Sequence, residues 1–454
     1  MKKETIDFGE GKISSLFGKL FFPTLVGMVS VSAVTTIDGI FVGHGVGSAG
    51  IAAVNICIPL LMILTGAGLM VGVGSSVIAS IHLSKGKVVQ ARASVTQAMV
   101  FVTAVASVLT LLIWLFPGRM AYMLGSSETL LPMVKDYLVW FAPSLLFELW
   151  IAVGLFALRL DGAPKLAMWC SIVAAAVNIV LDWLFIFPLG WGVMGAAFAT
   201  SVSCMVGASI VLWYLLYRAA SLRLHVLRID RDGLRFFAHG IAEQCKIGSS
   251  ALLGELTMAT LMFVGNHVFM HYLGDAGVGA FGVSCYYLPF VFMIGNAIAQ
   301  SAQPIISYNF GIGRTERVGT AFRISLFTAV ACGAVSTAAF TLFPEWLVGL
   351  FLSPEDPAAR IAAEGFPYYG SGFIFFIVNL AVIGYCQSLE RVVPATVFAM
   401  MRGFLFLVPC FVFLPELVGV EGIWLALPMS EIMTAMAILI HFIGRKHGWR
   451  MCER

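Results

Sequence analysis

Asn178 and Asp182 stand four residues apart in VNIVLDWLFIF (177–187), where the other nine side chains are apolar. On a helix that spacing puts both on one face. An amide beside a carboxyl offers the oxygen ligands a hard cation wants. A carboxyl shielded from water can instead take up and return a proton. Asp38, Thr200, Glu148, Glu255, Arg402 and Glu431 interrupt other apolar runs in the same way. A charge at the bilayer centre costs roughly 2.5–3.5 kcal/mol on insertion scales. Each of these residues is therefore expected to face protein or water, and each is a candidate for function.

The elements around them are membrane spans. Of 454 residues, 60% are hydrophobic and 11% charged, and the mean hydropathy is +0.95. A soluble domain carries about 25% charged residues, so this chain could not build a water-facing surface. The net charge of +3 gives no footprint for nucleic acid, and none is expected as a partner. Nine cysteines occur singly without a CxxC pair, and eight histidines show no HExxH spacing, so neither a disulfide framework nor a metal site is expected. The polar start, MKKETIDFGEGKISSLFGK, is too long for a secretory signal, and the first apolar stretch reads as a retained helix.

Stretches of about 20 apolar residues, enough to cross a bilayer, recur at roughly 16–41, 50–81, 93–116, 135–158, 164–187, 191–217, 240–271, 279–307, 318–343, 362–388, 394–415 and 418–443. Pro23, Pro59, Pro289 and Pro304 are candidate kinks inside them. With the N-terminus placed in the cytoplasm, 24 of the 27 Lys and Arg fall in cytoplasmic segments, and only Arg119, Lys135 and Arg360 fall outside. The positive-inside rule then predicts twelve spans with both termini cytoplasmic. The basic run RAASLRLHVLRIDRDGLR (218–235) reads as an amphipathic surface linker.

Shifted by about 230 residues, the chain resembles itself. AGIAAVNICIP (49–59) falls on GAFGVSCYYLP (279–289), Pro164 falls on Pro394, and, with a three-residue gap, Gly192 and Gly195 fall on Gly419 and Gly422. The predicted fold is an all-α integral membrane protein of twelve transmembrane helices in two six-helix lobes related by pseudo-two-fold symmetry. The lobes are residues 1–217 and 240–454, with a cytoplasmic linker at 218–239. Parallel repeats of this kind suit a transporter that rocks around a central cavity.

Four stretches, FVGHGVGSAGIAAVNICIPL (41–60), RLDGAPK (159–165), NIVLDWLFIFPLGWGVMGAAFAT (178–200) and QPIISYNFGIG (303–313), together resemble the multidrug and toxic compound extrusion (MATE) family. The resemblance runs in order along almost the whole chain, and the last stretch is similar to the bacterial branch that exports cationic drugs. It implies a V-shaped pair of lobes around a cavity, in a bacterial inner membrane. It also implies a monomer that exports small organic cations in exchange for Na⁺ or H⁺, with no other cofactor. Carried onto matching positions, it makes Asp38, Asn178, Asp182 and Thr200 a cation or proton site. Glu255 matches the glutamate that serves coupling in one branch, although residues 365–388 lack that branch's companion carboxylate.

Residues 134–158 hold Glu148 where the family often has an Asn. Glu148 either lines the cavity and attracts cationic cargo or is a neutral acid bonded within the protein. Asn296, Gln300 and Gln303, spaced four and three apart, face the cavity or bond neighbouring helices. Arg402 and Glu431 are at similar depth and are expected to form a structural pair. Two readings compete with drug export. A flippase for lipid-linked substrates would want an arginine-rich cavity, whereas Glu148 and Glu255 are acidic. A membrane-embedded enzyme would need a catalytic constellation that the sequence does not contain.

Overall fold

The computed structural model describes residues 7–126, 128–225 and 231–444. Lys2, Lys3, Arg228 and the basic residues from Arg445 onward, which weigh in the orientation argument, lie outside this range. The fold is all-α. Eleven helices among the described residues are long and apolar enough to cross a membrane, and one bent pair of helices supplies a twelfth span.

In the first half the spans are α1 (Ile13–Val46), α2 (Ser48–Ser84), α3 (Val88–Leu115), α5 (Leu131–Leu160), α6 (Pro164–Ile186) and α7 (Gly192–Trp213), with a short α4 (Pro117–Met123) after α3. The last turn of α7 widens into a π-helical turn, Tyr214–Arg218. α5 is central, packed on α7, α2 and α3. Its buried face carries Tyr137, Leu138, Phe141, Leu145 and Leu149, while α3 turns Val108, Leu111 and Trp114 outward. An apolar exterior of this kind is what a helix facing lipid presents.

In the second half α8 (Arg235–Gly274) and α9 (Ala276–Gly311) are separated at Gly274, whose φ of 62° breaks the helix. α10 (Thr315–Leu342), a short α11 (Pro344–Gly349), the pair α12 (Pro357–Gly370) and α13 (Phe373–Ser388), α14 (Val392–Val418) and α15 (Val420–Gly444) follow. The single span expected over 362–388 is a broken one, bent by 48° between α12 and α13. None of the four prolines read as kinks lies there; Pro23 sits inside α1, and Pro289 and Pro304 inside α9. Pro367 stands in the last turn before the break, and close packing holds the bend. A side chain at Gly370 would collide with Phe340, and one at Gly372 with Pro428. The carbonyl of Gly370 accepts a hydrogen bond from Thr337 at 2.8 Å, which satisfies a backbone group that lipid could not.

The repeat is real, but its register is 227 residues rather than 230. Gly47 corresponds to Gly274, Gly86 to Gly313 and Gly192 to Gly419, all with positive φ. Phe116 and Phe343 cap α4 and α11 with φ of −133° and −131°. One position slips to 228: Gly162 (φ 84°) corresponds to Glu390 (φ 56°). Pro59 is therefore not the partner of Pro289, nor Pro164 of Pro394. Prolines mark any helix start or kink, whereas a left-handed residue marks one particular turn.

The chain divides into two compact units within α8, at Leu252–Leu253, with Lys12–Phe17 grouped with the second. The sequence reading drew that boundary in the polar linker. The difference arises because the start of α8 packs on α2 and α3. Backbone approaches backbone where Gly74 meets Gln244 and where Gly248 meets Met70. Gln244 Nε2 donates to the Ser94 carbonyl at 3.0 Å. Close approach through small residues is a common way for helices to associate in lipid.

Candidate functional site

α6 starts cleanly because Gly162 takes the left-handed turn before it and Pro164 occupies its first turn, where the missing N–H costs nothing. Its outward face carries Trp169, Val180 and Trp183, and its inward face carries Asn178, Asp182 and Phe185. The polar pair thus faces the lobe interior. Asp182 is fully buried.

α1 brings the second acid. It lies against α6 at two glycines: Gly27 sits on Met168 and Ser171, and Gly45 on Ile186. Phe41 meets Phe187 edge-on at 5.7 Å. Between these contacts the carboxyls of Asp38 and Asp182 lie close enough to act on each other. No donor among the described residues reaches either oxygen of Asp182 or Oδ1 of Asp38. Two acids in this position need a positive partner, either a proton shared between them or a cation bound across them.

The other predicted members complete one wall. Asn178 Nδ2 donates to Thr200 Oγ1 of α7 at 3.5 Å, and that hydroxyl donates to the Ala196 carbonyl at 3.0 Å. The structure thus gathers Asp38, Asn178, Asp182 and Thr200 in the first half, on α1, α6 and α7. Their oxygens suit a hard cation. Tyr137, on α5 and missed in the sequence, is buried within electrostatic range of Asp38, Asp182 and Glu148. A tyrosine in an apolar run raises no signal by composition. Its spacing of eleven from Glu148, three helical turns on the same face, is the signal that was available.

Glu148 is half-buried and accepts a hydrogen bond from Thr65 Oγ1 of α2 at 3.0 Å. Thr65 was also missed.

The second half is built differently. Arg402, on the π-helical turn Met401–Leu405, donates to Glu431 Oε1 from Nη2 at 2.7 Å and from Nε at 3.0 Å. Asn379 Nδ2 donates to Glu431 Oε2 at 2.7 Å. The guanidinium stacks 4.4 Å from the Phe376 ring centroid, and both charged residues are excluded from solvent. Asn379, an amide in FIFFIVNLAVIGY, carried the same signal as Asn178 and was overlooked. Glu255, Gln300 and Gln303 are buried and partnered, and Asn296 is half-buried. In the corrected register Gly265 and Leu427 occupy the positions of Asp38 and Thr200, and Asp182 corresponds to Pro409 or Cys410. The facing acids belong to one half only.

Comparison with known proteins agrees with this architecture. The MatE family model matches residues 23–184 and again 251–412, once in each half. An FAD transporter of Shewanella oneidensis is 25% identical, covering 98% of this chain and 97% of its own. The multidrug export protein MepA of Staphylococcus aureus is 24% identical, covering 92% and 91%. Among solved structures, a multidrug resistance MATE family transporter in an outward-facing conformation superposes with a TM-score of 0.89 at 18% identity. A MOP superfamily transporter from Pyrococcus furiosus does so with the same score and identity. Both alignments cover 100% of each chain. With two family matches placed on the two halves of a twelve-span membrane protein, the chain belongs to the MatE family of transporters.

Proposed function

We propose that this protein is a cation-coupled antiporter that exports small organic cations from a bacterial cell. The observation that carries the reading is the pair of acids, Asp38 and Asp182: neither Asp182 oxygen nor Oδ1 of Asp38 meets a donor among the described residues. A cation from outside, H⁺ or Na⁺, binds the pair together with Asn178 and Thr200. Binding removes the repulsion between the acids and draws α1 against α6. Loss of the cation on the inner side lets the helices part again. Antiport requires only that the coupling cation and the cargo favour different states of the carrier.

Glu148, held by Thr65, supplies negative charge for a cationic cargo. In the second half Arg402 is neutralised by Glu431, which argues against an anionic headgroup as the principal cargo. The Staphylococcus aureus relative is named a multidrug exporter, which supports a broad cargo range. The surplus of Lys and Arg supports a multi-pass inner-membrane protein with both termini in the cytoplasm. We assign the monomer as the working unit, since one chain contains the whole acid pair.

The test is efflux from proteoliposomes holding a cationic dye, an uncharged dye or FAD, under an imposed pH gradient and, separately, a Na⁺ gradient. We expect cationic-dye efflux driven by at least one gradient. Equal efflux with and without both gradients would refute coupling, and efflux of FAD alone would refute the cargo class.

A further inference from the structure

We propose that the basic end of α7 is a binding site for one anionic phospholipid. α7 turns Met205, Ser209 and Trp213 outward, and Leu216 and Tyr217 continue that exposed face. Met205, Val206, Ser209, Ile210 and Trp213 line a groove of about 480 Å³. The lining is apolar apart from Ser209, whose hydroxyl donates to the Met205 carbonyl at 2.7 Å. The groove therefore asks for a hydrocarbon chain and offers nothing to a polar one.

Cations stand where the groove ends. The Arg218 guanidinium lies 5.5 Å from the centroid of Trp213, itself a wall of the groove. Beyond the π turn the chain reverses and returns Arg223 to the helix end. Arg223 Nε donates to the Leu216 carbonyl at 2.9 Å and Nη2 to the Tyr217 carbonyl at 3.1 Å. Both arginines are exposed.

The reversal is held by Asp161 of the α5–α6 turn. Its Oδ2 accepts from the Tyr214 hydroxyl and the Ala220 amide, each at 2.7 Å. Its Oδ1 accepts from the amides of Ser221 at 2.7 Å and Leu222 at 3.0 Å. The Asp161 carboxylate is thus occupied by four donors. Arg92 adds a fifth tie, Nε to the Ser221 carbonyl at 2.8 Å. Arg223 is consequently fixed at the end of α7, the end where Arg218 stands beside Trp213 and the apolar groove.

That is the pattern of a lipid held at both ends, the acyl chain against α7 and the phosphate on the arginines. Interfacial tryptophan marks headgroup depth, and basic clusters at a helix end select anionic lipids. Arginine suits phosphate through its fork of donors. The site lies apart from Asp38 and Asp182, and the proposal does not rest on the transport reading.

Native mass spectrometry of the full chain, titrated with phosphatidylglycerol or phosphatidylcholine of matched chains, tests it. We expect phosphatidylglycerol to be retained in preference, and less so as salt rises. Each arginine near a membrane surface changes affinity by about fivefold. Arg218→Gln should therefore weaken phosphatidylglycerol binding about fivefold, and Arg218→Gln with Arg223→Gln about thirtyfold. Ser209→Phe fills the groove without touching a charge and should also reduce retention. Should the double variant fail to fold, Arg218→Gln and Ser209→Phe decide. Equal retention of the two lipids by the unmodified protein, or undiminished phosphatidylglycerol binding in Ser209→Phe, would overturn the proposal.

Discussion

Asp182→Asn separates coupling from folding. The substitution keeps the shape of the side chain and exchanges one acceptor oxygen for an N–H₂ group. In the native site neither Asp182 oxygen, nor Oδ1 of Asp38, meets a donor among the described residues, and the two acids act on each other. The new amide therefore donates to Asp38 in the unoccupied state, measured without Na⁺ and at high pH, where the wild type sets acceptor against acceptor. A hydrogen bond to a charged group contributes about 1.5–3 kcal/mol. At roughly 2–4 °C per kcal/mol for a domain the size of one lobe, the first half should unfold about 3–12 °C higher. The same change removes the second acid, so the pair no longer gains and loses a cation within one cycle. Gradient-driven efflux should fall to the level of empty liposomes, while cargo-for-cargo counterflow, which needs no gradient, persists. Heating followed by size-exclusion chromatography reads the first quantity, and proteoliposome flux the second. Wild-type efflux by Asp182→Asn, or unfolding several degrees lower than wild type, would refute the reasoning.

Two further outcomes follow from contacts described above. Arg402→Met leaves Glu431 buried with Asn379 as its remaining side-chain partner and should cost about 3–5 kcal/mol, whereas Arg402→Met combined with Glu431→Met should cost less. The comparison is read as thermal unfolding of the two variants, and an equal or larger loss in the double variant would contradict it. Glu148→Gln preserves an acceptor for Thr65 and so preserves the fold. It should raise KM for a cationic dye about tenfold, equivalent to roughly 1.4 kcal/mol, and leave KM for an uncharged dye unchanged in the same flux assay.

Much of this molecule was legible because lipid permits so few exceptions. Asp182 and Asn178 stood out since nothing else in their helix is polar, and the twelve spans followed from hydropathy and the placement of Lys and Arg. Asn379 carries the same signal more weakly, because residues 365–388 hold no carboxyl to pair with its amide. Tyr137 and Thr65 were hidden for a physical reason: a tyrosine or threonine sits in an apolar helix at little cost, so its presence there implies nothing until its neighbours are known. The break at 371–372 was illegible because hydropathy is the same on both sides. It is fixed by contacts of Gly370 with Phe340 and Gly372 with Pro428, which are distant in sequence. Aligned on prolines the repeat reads three residues too long, because prolines mark several kinds of turn, whereas the left-handed glycines mark one.

In the proposed cycle, with H⁺ as the coupling cation and the facing acids on α1 and α6 as its sole carriers, their number sets a thermodynamic ceiling. Two carboxyls can release at most two protons per turnover. Across one pH unit, one proton sustains about a tenfold accumulation of an uncharged solute, and two protons roughly a hundredfold. A companion set of acids in the second half would have raised that limit. With Gly265 and Leu427 there instead, steeper accumulation demands a steeper gradient, not a busier carrier.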